Sequence, residues 1–565
     1  MPINILSQET INKIAAGEVI ECPLNVVKEL VENSLDALAS SIVVEIENSG
    51  KKLIRVADNG LGMSKKDLEL SILRHTTSKI EKFTDLSYIY SFGFRGEALA
   101  SIATVSNLKI KTKRKMDVLG WELLSHGGKN IKTFPWSGAD GTISEVRNLF
   151  FNTPARYKFL ASNLNERIKI INSLEEIALA NYDVTFKLIS EKKNILSTVK
   201  TNNKINRILD ILGKDFTKSI KNIKINQRDI LMNIYFTDRY NSLSSKKYQY
   251  LFINSRPVNY PKSIIRCIYQ AYRESIQNNK HPGILIYMAI NPSEIDFNIH
   301  PTKREIKFAN ENEICDIILK VLRNTLVSQS CSNINITSSY NDSYKSTLDY
   351  NSENSFSDNY DDFFSDKQIN FGYRNFNGIK IIGQIFNTYI VVENIGYFYI
   401  FDQHAVSERI KYELYISQMK AQDIKTQRML TPLNFDIPLS SLELVKANMN
   451  IFNELGMILE EFGHNSLRVI AYPELLGNIS IEHVIKTIIS NIENDKNTVI
   501  EQKRDKIMRL ACHASIKSGY KVSFIEAEKL ISDLFKCEYP FTCPHGRPTA
   551  YKISLHTLEK FFRRK

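Results

Sequence analysis

A polar stretch near the middle of the sequence limits how the chain can fold. Between residues 328 and 366, Ser, Asn and Asp fill 23 of 39 positions, and Lys345 is the only basic residue. So few aliphatic side chains bury too little apolar surface to offset the entropy lost when a backbone becomes ordered. We therefore predict a flexible linker over residues 328–376, with separately folded parts on either side.

The parts on the two sides of the linker differ in length. The N-terminal part is longer than a typical single domain of about 100–200 residues, so we divide it near residue 210. The predicted domains are residues 1–210, 211–327 and 377–565. Strands are predicted over residues 42–46, 53–57, 380–385, 389–393 and 397–401, and helices over 23–37 and 404–419.

Composition narrows the class of protein. The net charge of +12 suits a polyanionic partner such as DNA, although many basic proteins bind no nucleic acid. The sequence contains no run of about 18 apolar residues, so we predict no membrane-spanning helix. The first 21 residues do not have the pattern of a signal peptide. Seven cysteines in such a chain indicate a reducing, cytoplasmic setting, where Cys beside His is a candidate metal ligand.

The predicted helix at residues 23–37 carries polar residues beside an apolar stripe. Glu29 and Asn33 lie one turn apart, so both side chains can point into one cleft. A carboxylate there can polarise water, and an amide oxygen can bind Mg²⁺. On this pattern alone, a solvated polar face is the favoured explanation of the two residues, because such faces are the norm on surface helices.

Three short segments follow this helix, and the first and third are rich in glycine. They are DNGLG at 58–62, RHTTSK at 74–79 and GFRGEAL at 93–99. Glycine lets the backbone approach a ligand closely, and a turn that enters a helix offers N–H groups to phosphates. No GxxxxGK segment followed by Ser or Thr is present, so a P-loop is not predicted.

In this order the segments resemble the GHKL ATPases, the superfamily that includes gyrase and histidine kinases. The resemblance implies an α/β sandwich that binds ATP. Glu29 would be the general base, Asn33 would hold Mg²⁺, and Asp58 would accept a hydrogen bond from the adenine amino group. The remaining residues assigned to ATP by the resemblance are Gly62, Thr77 and Thr142, with Gly93, Phe94, Arg95 and Gly96 as a lid over the triphosphate.

Further segments resemble the MutL family of DNA mismatch repair proteins. They are IAAGEV at 14–19, SFGFRGEAL at 91–99, LFFNTPAR at 149–156, FINSRPV at 252–258 and NIHPTK at 298–303. The resemblance implies a second α/β transducer domain, similar to a ribosomal protein, in which Lys303 reaches the γ-phosphate. Arg256, with its basic surroundings, is a candidate for contact with the DNA backbone.

Three clusters of potential metal ligands follow the linker. DQHAVSERIKYE at 402–413 puts His404 and Glu408 on one helix face, and ACHAS at 511–515 and CPHGRP at 543–548 contain further Cys and His. His, Cys and carboxylate together are typical ligands of Zn²⁺ or Mn²⁺, although a single His or Cys is often merely buried.

The three clusters are similar to the endonuclease form of the MutL family, except that Ser515 replaces the final Ala of the second motif. The resemblance implies that Asp402, His404, Glu408, Cys543 and His545 bind metal, with Asp402 and Glu408 acting in catalysis. Cys512 is an additional candidate, and Glu413 would be a supporting residue. The resemblance also implies two closely spaced metal ions. They would activate water and stabilise the leaving oxygen when a phosphodiester bond is cleaved.

A short segment indicates a protein partner. Gln427, Leu430 and Pro432 are similar to the motif by which this family binds the sliding clamp, where an extended peptide fills a pocket.

The resemblance covers almost the whole chain outside the linker. It implies a homodimer in the bacterial cytoplasm that ATP gates, that a MutS-type mismatch sensor recruits to DNA, and that nicks DNA at a C-terminal α/β dimerisation and endonuclease domain. The alternatives are a non-nicking adaptor switched by ATP, or a chaperone or topoisomerase of the same ATPase superfamily.

Overall fold

The structure is a computed structural model of the 565-residue chain. It describes residues 15–79, 91–93, 96–227, 230–238, 243, 245–272, 280–296, 306–331, 380–394, 396–421, 423–463, 465–476, 480–494, 521–544 and 547–564. Most of the predicted linker, from residue 332 onwards, lies outside these ranges.

The first domain is built on an eight-stranded mixed sheet, in the order β5-β4-β3-β6-β2-β1-β7-β8. The strands are β1 Ser41–Glu47, β2 Leu53–Asp58, β3 Asn107–Lys113, β4 Gly120–His126, β5 Lys129–Trp136, β6 Gly141–Arg147, β7 Thr185–Ser190 and β8 Lys193–Thr198. The helices up to the start of the second domain are α1 Pro23–Asp36, α2 Lys65–Ser71, α3 Ala98–Val105, α4 Pro154–Lys158, α5 Asn163–Ala180 and α6 Lys204–Leu212. This arrangement confirms the α/β prediction for the N-terminal domain.

Alternation along β1 explains how one face of this sheet becomes the core. Ile42, Val44 and Ile46 are at most 1% exposed, whereas the residues between them are half-buried. Since side chains point to opposite faces of a strand in turn, the apolar set forms one buried face. Helix α1 packs near β1 and β2 and also contacts α5, which places its polar residues beside the end of β2.

The second domain contains a five-stranded sheet in the order β12-β11-β13-β10-β9, in which β11 and β13 are parallel. Its strands are β9 Ile220–Gln227, β10 Ile230–Thr237, β11 Gln249–Ile253, β12 Arg256–Val258 and β13 Ile284–Ala289, with a small ribbon of β14 Ile295–Asp296 and β15 Lys307–Phe308. Its helices are α7 Lys214–Ser219, α8 Lys262–Ala271 and α9 Glu311–Cys331. Helix α9 runs to Cys331, so the first four residues of the predicted linker are helical.

A buried arginine fixes the last helix of the first domain. Arg207 of α6 is 0% exposed, and its guanidinium donates to five backbone carbonyls, those of Ala178, Asn181, Tyr182, Val184 and Val199. A buried charge is costly unless it is hydrogen-bonded, and here both terminal nitrogens of the guanidinium donate to acceptors on the segments around β7 and β8. The side chain therefore fixes α6 to the end of the first domain.

The described residues after the linker form two structural parts. The inserted lobe, defined here as the described residues between 426 and 494, groups with residues 1–326 in one compact unit. It contains the strands β19 Thr426–Asp436, β20 Ile458–Glu461 and β21 Ser466–Pro473, and the helices α11 Leu439–Ala447, α12 Met449–Glu454 and α13 Ile481–Asn494.

The other part belongs to a second compact unit. Its antiparallel sheet consists of β16 Lys380–Ile385, β17 Tyr389–Asn394, β18 Tyr397–Asp402 and β22 Ala550–Ser554, joined by α10 Gln403–Lys420, α14 Phe524–Leu534 and α15 Leu555–Phe561. These bounds confirm the strands and the helix predicted between residues 380 and 419. The domain limits proposed from the sequence stay predictions. Among the described residues, no helix is long and apolar enough to cross a membrane.

Candidate functional site

Asp58 lies at the end of β2, where several groups converge on its carboxylate. The N–H groups of Gly60 and Thr142 donate to Oδ1 at 2.9 and 3.2 Å, and the Ser34 hydroxyl donates to Oδ2 at 2.8 Å. Burial raises the pKa of the Asp58 carboxyl, while these three bonds act in the opposite direction. The structure thus brings together Asp58 and Thr142, which the sequence assigned to one base pocket.

Gly62 follows in a close turn beside β3. Its φ is +68°, and a side-chain Cβ added there would lie 2.2 Å from the Lys113 carbonyl oxygen. Only a residue without Cβ fits this approach of two backbones. The glycine therefore lets the loop after Asp58 lie close against the backbone at the end of β3.

A second carboxylate, that of Asp36 at the end of α1, binds the start of the predicted lid. Its two oxygens accept from the N–H groups of Phe92 and Gly93 at 2.8 and 3.1 Å. The Lys79 ammonium lies 2.5 Å from Asp36 Oδ2 and 3.1 Å from Asn33 Oδ1. One helix end thus holds an amide oxygen, a carboxylate and an ammonium in contact, beside two lid N–H groups.

The lid glycines meet different restrictions. A Cβ on Gly93 would come 3.0 Å from the Lys79 ammonium, so the lid backbone lies directly over this polar cluster. Gly96 has a φ of +63°, and a Cβ there would lie 2.3 Å from the Thr76 carbonyl oxygen. Thr77 accepts from the Lys79 N–H at 3.2 Å and so helps to shape the turn that carries the lysine.

Other residues assigned to ATP are placed less completely. Glu29 is half-buried on α1, one turn before Asn33. Phe94, Arg95 and Lys303 lie outside the described residues, so the predicted roles of these three remain predictions.

The prediction that Arg256 contacts DNA stays a prediction, and the structure places this side chain in a buried position. The side chain is 6% exposed, donates to the Ser91 carbonyl and lies with its guanidinium carbon 5.3 Å from the centre of the Phe92 ring. Burial lowers the pKa of the guanidinium, while the charges of Glu32 and Asp36 act to raise it. Arg256 therefore links the second domain to the segment at Ser91 and Phe92, where the predicted lid begins.

Sequence reasoning assigned no role to Asp36, Lys79 or Ser34. A usable signal was present for Asp36, since it lies three residues after Asn33 and shares a helix face with it. Lys79 ends the RHTTSK segment, but its contact with α1 crosses 43 residues to Asp36 and cannot be read from local spacing.

The C-terminal metal candidates are partly assembled. Nε2 of His404 lies 3.1 Å from Oε1 of Glu408, and Glu408 is 3% exposed, which agrees with the predicted shared helix face. Asp402 caps α10, accepting at Oδ1 from the N–H groups of His404 and Ala405 at 2.9 and 3.1 Å. Such an N-cap satisfies two N–H groups of the first helical turn.

Arg409 joins this helix to the third cluster. Its guanidinium donates to the Thr542 carbonyl, next to the buried Cys543, and contacts Glu413 at 3.4 Å. Glu413 accepts from the N–H groups of Glu538 and Tyr539 at 2.6 and 3.1 Å, which is a supporting role. Within the described ranges no three Cys, His or carboxylate side chains form a metal-binding group; His545 and Cys512 lie outside those ranges.

The proposed clamp segment lies in an irregular part of β19. The pairing of β19 with β21 shifts register between Arg428 and Leu433, so the intervening residues leave the regular ladder. Leu430 is fully exposed, and Gln427 accepts at 3.4 Å from the Tyr472 hydroxyl. The segment therefore presents an apolar side chain on the surface.

Comparisons with known proteins cover the same regions. Residues 21–147 match the family described as "Histidine kinase-, DNA gyrase B-, and HSP90-like ATPase", residues 208–327 match "DNA mismatch repair protein, C-terminal domain", and residues 382–522 match "MutL C terminal dimerisation domain". The chain is 62% identical over 596 residues to the DNA mismatch repair protein MutL of Endomicrobium trichonymphae, with both chains fully covered.

A more distant relative and a solved structure agree with these matches. The MutL protein of Thermoanaerobacter sp. (strain X514) is 34% identical, with 100% of this chain and 99% of that protein covered. A crystal structure of the N-terminal domain of a DNA repair protein is 26% identical, with a TM-score of 0.50 over 57% of this chain and 99% of that one.

The Asp36 contacts predict how the lid is held. We expect Asp36→Asn to weaken ATP binding about tenfold, because the amide keeps one acceptor oxygen for two lid N–H groups and loses the charge facing Lys79. Nucleotide titration measures the affinity, and hydrogen exchange at Phe92 and Gly93 measures the lid. Asp67→Asn, at an exposed turn where Asp67 bonds Ser64, is the matched control. Unchanged affinity and lid exchange in Asp36→Asn would contradict the assignment.

Proposed function

Because this chain belongs to the MutL family of DNA mismatch repair proteins, we propose that it is a repair protein switched by the binding and hydrolysis of ATP at its N-terminal domain. The observation that carries the proposal is the convergence on α1: Ser34 bonds Asp58, while Asn33 and Asp36 contact Lys79 and the lid. A base pocket and a phosphate lid are thus served by neighbouring residues of one helix.

The residues of this site suit Mg²⁺ and ATP. Asn33 contributes an amide oxygen, and Mg²⁺ prefers oxygen ligands. In the structure this oxygen already faces the cationic Lys79. Asn33 would hold Mg²⁺, which supplies charge neutralisation at the phosphates. Asp58 would accept from the adenine amino group, and the N–H groups around Gly96 would face the phosphates.

Glu29 would polarise the attacking water as general base. We expect Glu29→Gln to lower the rate of ATP hydrolysis by about 100-fold or more, since a general base contributes 10²–10⁴-fold, while ATP affinity stays within about twofold. Phosphate release and nucleotide titration measure the two quantities. Glu69→Gln, an exposed glutamate on α2, is the control. Full activity in Glu29→Gln would remove Glu29 from the mechanism.

The second domain would report the state of the nucleotide. We propose that Lys303 contacts the γ-phosphate and that Arg256 transmits lid closure to β12, because Arg256 already contacts Ser91 and Phe92. Hydrogen exchange along β12, with and without an ATP analogue, tests this, and equal exchange in both would reject it.

Two further observations support the proposed partners. Residues 382–522, which match a dimerisation domain, support a homodimer. The net charge of +12 supports DNA as a partner.

We further propose that the C-terminal part nicks DNA with Mn²⁺ or Zn²⁺. Asp402, His404, Glu408, Cys543 and His545 would hold the metal, which would activate water and stabilise the leaving oxygen. The His404–Glu408 contact supports this, as does Arg409, which brings the segment at Cys543 to α10.

Asp402→Asn separates the nicking site from the ATP site. Asn is as good an N-cap as Asp, so α10 is expected to stay folded while the metal loses a carboxylate. Nicking of supercoiled plasmid with Mn²⁺ is expected to fall at least about 100-fold, with ATP hydrolysis retained. If the intact protein fails to nick even with ATP, sliding clamp and Zn²⁺ present, the chain is a non-nicking matchmaker switched by ATP.

The exposed segment of β19 supports a sliding clamp as partner. Gln427, Leu430 and Pro432 would fill a pocket of the clamp, and Leu430→Ser is expected to weaken clamp binding about tenfold or more by removing the apolar anchor. Surface plasmon resonance measures this, with Leu414→Ser at an exposed position of α10 as control. Equal loss in both variants would reject the motif. A MutS-type mismatch sensor is the second proposed protein partner. The same assay, with this sensor bound to mismatched DNA as the ligand, tests that proposal.

A further inference from the structure

The inserted lobe contacts the first domain through two carboxylates. The N–H of Leu439, at the start of α11, donates to Oε1 of Glu175 on α5 at 3.2 Å. Arg167, also on α5, forms an ion pair with Glu443 of α11 at 2.6 Å. Both contacts join α5 to α11, so one face of the ATPase domain carries the lobe.

The same lobe also contacts the second domain. Oδ2 of Asp436 accepts from the N–H of Lys214, the first residue of α7, at 2.9 Å. The Lys247 ammonium donates to the Ser441 hydroxyl at 3.0 Å and lies 3.4 Å from Glu493. These contacts involve α7 and the residues just before β11.

Two carboxylates in these contacts are buried. We call the contact surface between the inserted lobe and the first two domains the seam. Glu175 is 2% exposed and Glu443 is 4% exposed, and each accepts from a donor on the other side of the seam. A buried carboxylate is strongly unfavourable without such partners. Burial raises the pKa of Glu175 to about 7, against the effect of Lys247, while Glu176 and Glu493 add to the rise. Two ion pairs, Arg167–Glu443 and Lys247–Glu493, also cross this contact surface.

The seam is not filled like a domain core. A cavity of about 410 Å³ lies between the second domain and the lobe, lined among others by Phe216, Lys218, Tyr248, Ile437 and Lys486. This cavity is partly open to solvent, so the lobe and the second domain are not joined into one closely packed core.

We propose that the inserted lobe holds the first and second domains together through the bonds described above, and that ATP binding breaks these bonds. We call the lobe in its bound position the clasp. The inference rests on the proposed function, in which lid closure on ATP is transmitted to the second domain through Arg256. Because the lobe bonds α5 on one side and α7 and Lys247 on the other, the two domains cannot turn against each other while both sets of bonds persist. The partner of this surface is the chain's own C-terminal lobe.

Charge reversal across the seam tests whether the clasp exists in solution. In the full chain, Arg167→Glu and Glu443→Arg are each expected to raise hydrogen exchange of the α11 amides about tenfold, and the double variant to restore it to within about twofold. Glu443 also pairs with Lys446 inside the lobe, so restoration in the double variant separates the seam from damage to the lobe. Arg55→Glu, whose partner is Glu45 within the sheet, is the control. Unchanged exchange in the single variants, or no restoration, overturns the clasp.

Adding Mg²⁺ and a non-hydrolysable ATP analogue to the unmodified protein tests the release. The α11 amides are expected to exchange faster while the lid amides of Phe92 and Gly93 become protected. Protected lid amides with an unchanged α11 overturn the release and leave the proposed function intact. Failure of the analogue to bind at all overturns the proposed function, and the release with it.

Discussion

The carboxylate of Asp36 is the interaction on which the nucleotide site depends. It accepts from two lid N–H groups and from the Lys79 ammonium, which also contacts Asn33. A short side chain at the end of α1 thereby fixes three separate segments at once. Since α1 itself is positioned by its apolar face against β1, β2 and α5, the packing of the first domain sets the geometry of the lid.

Buried charges occur repeatedly where parts of this chain meet. Arg207 fixes α6 to the segments around β7 and β8, Arg256 joins the second domain to the lid, and Glu175 meets the inserted lobe. Each makes directed hydrogen bonds, which fix one relative arrangement, whereas apolar contacts tolerate sliding. Such contacts fix one arrangement of the parts while they are formed, and their hydrogen bonds are lost when the parts move apart.

Local patterns predicted the elements and part of the site. Strand alternation gave β1 and β2, and the glycine-rich segments identified Asp58, Gly62 and the lid, because these depend on neighbours within a few residues. The contacts of Arg256 with Ser91 and Phe92 could not be read from local spacing, since these residues lie 165 and 164 positions away in the sequence. The contact of Lys79 with Asp36 was missed for the same reason, since it spans 43 residues.

The sequence by itself determined the family, the sandwich fold of the ATPase domain and the identity of most candidate ligands, because these follow from residue type and short spacing. Only the tertiary structure decided that Arg256 turns inward to the lid, that Arg409 brings the segment at Cys543 to α10, and that the inserted lobe lies across α5 and α7. The physical reason is that a buried charge takes whichever partners the fold brings to it, and those partners are remote in sequence.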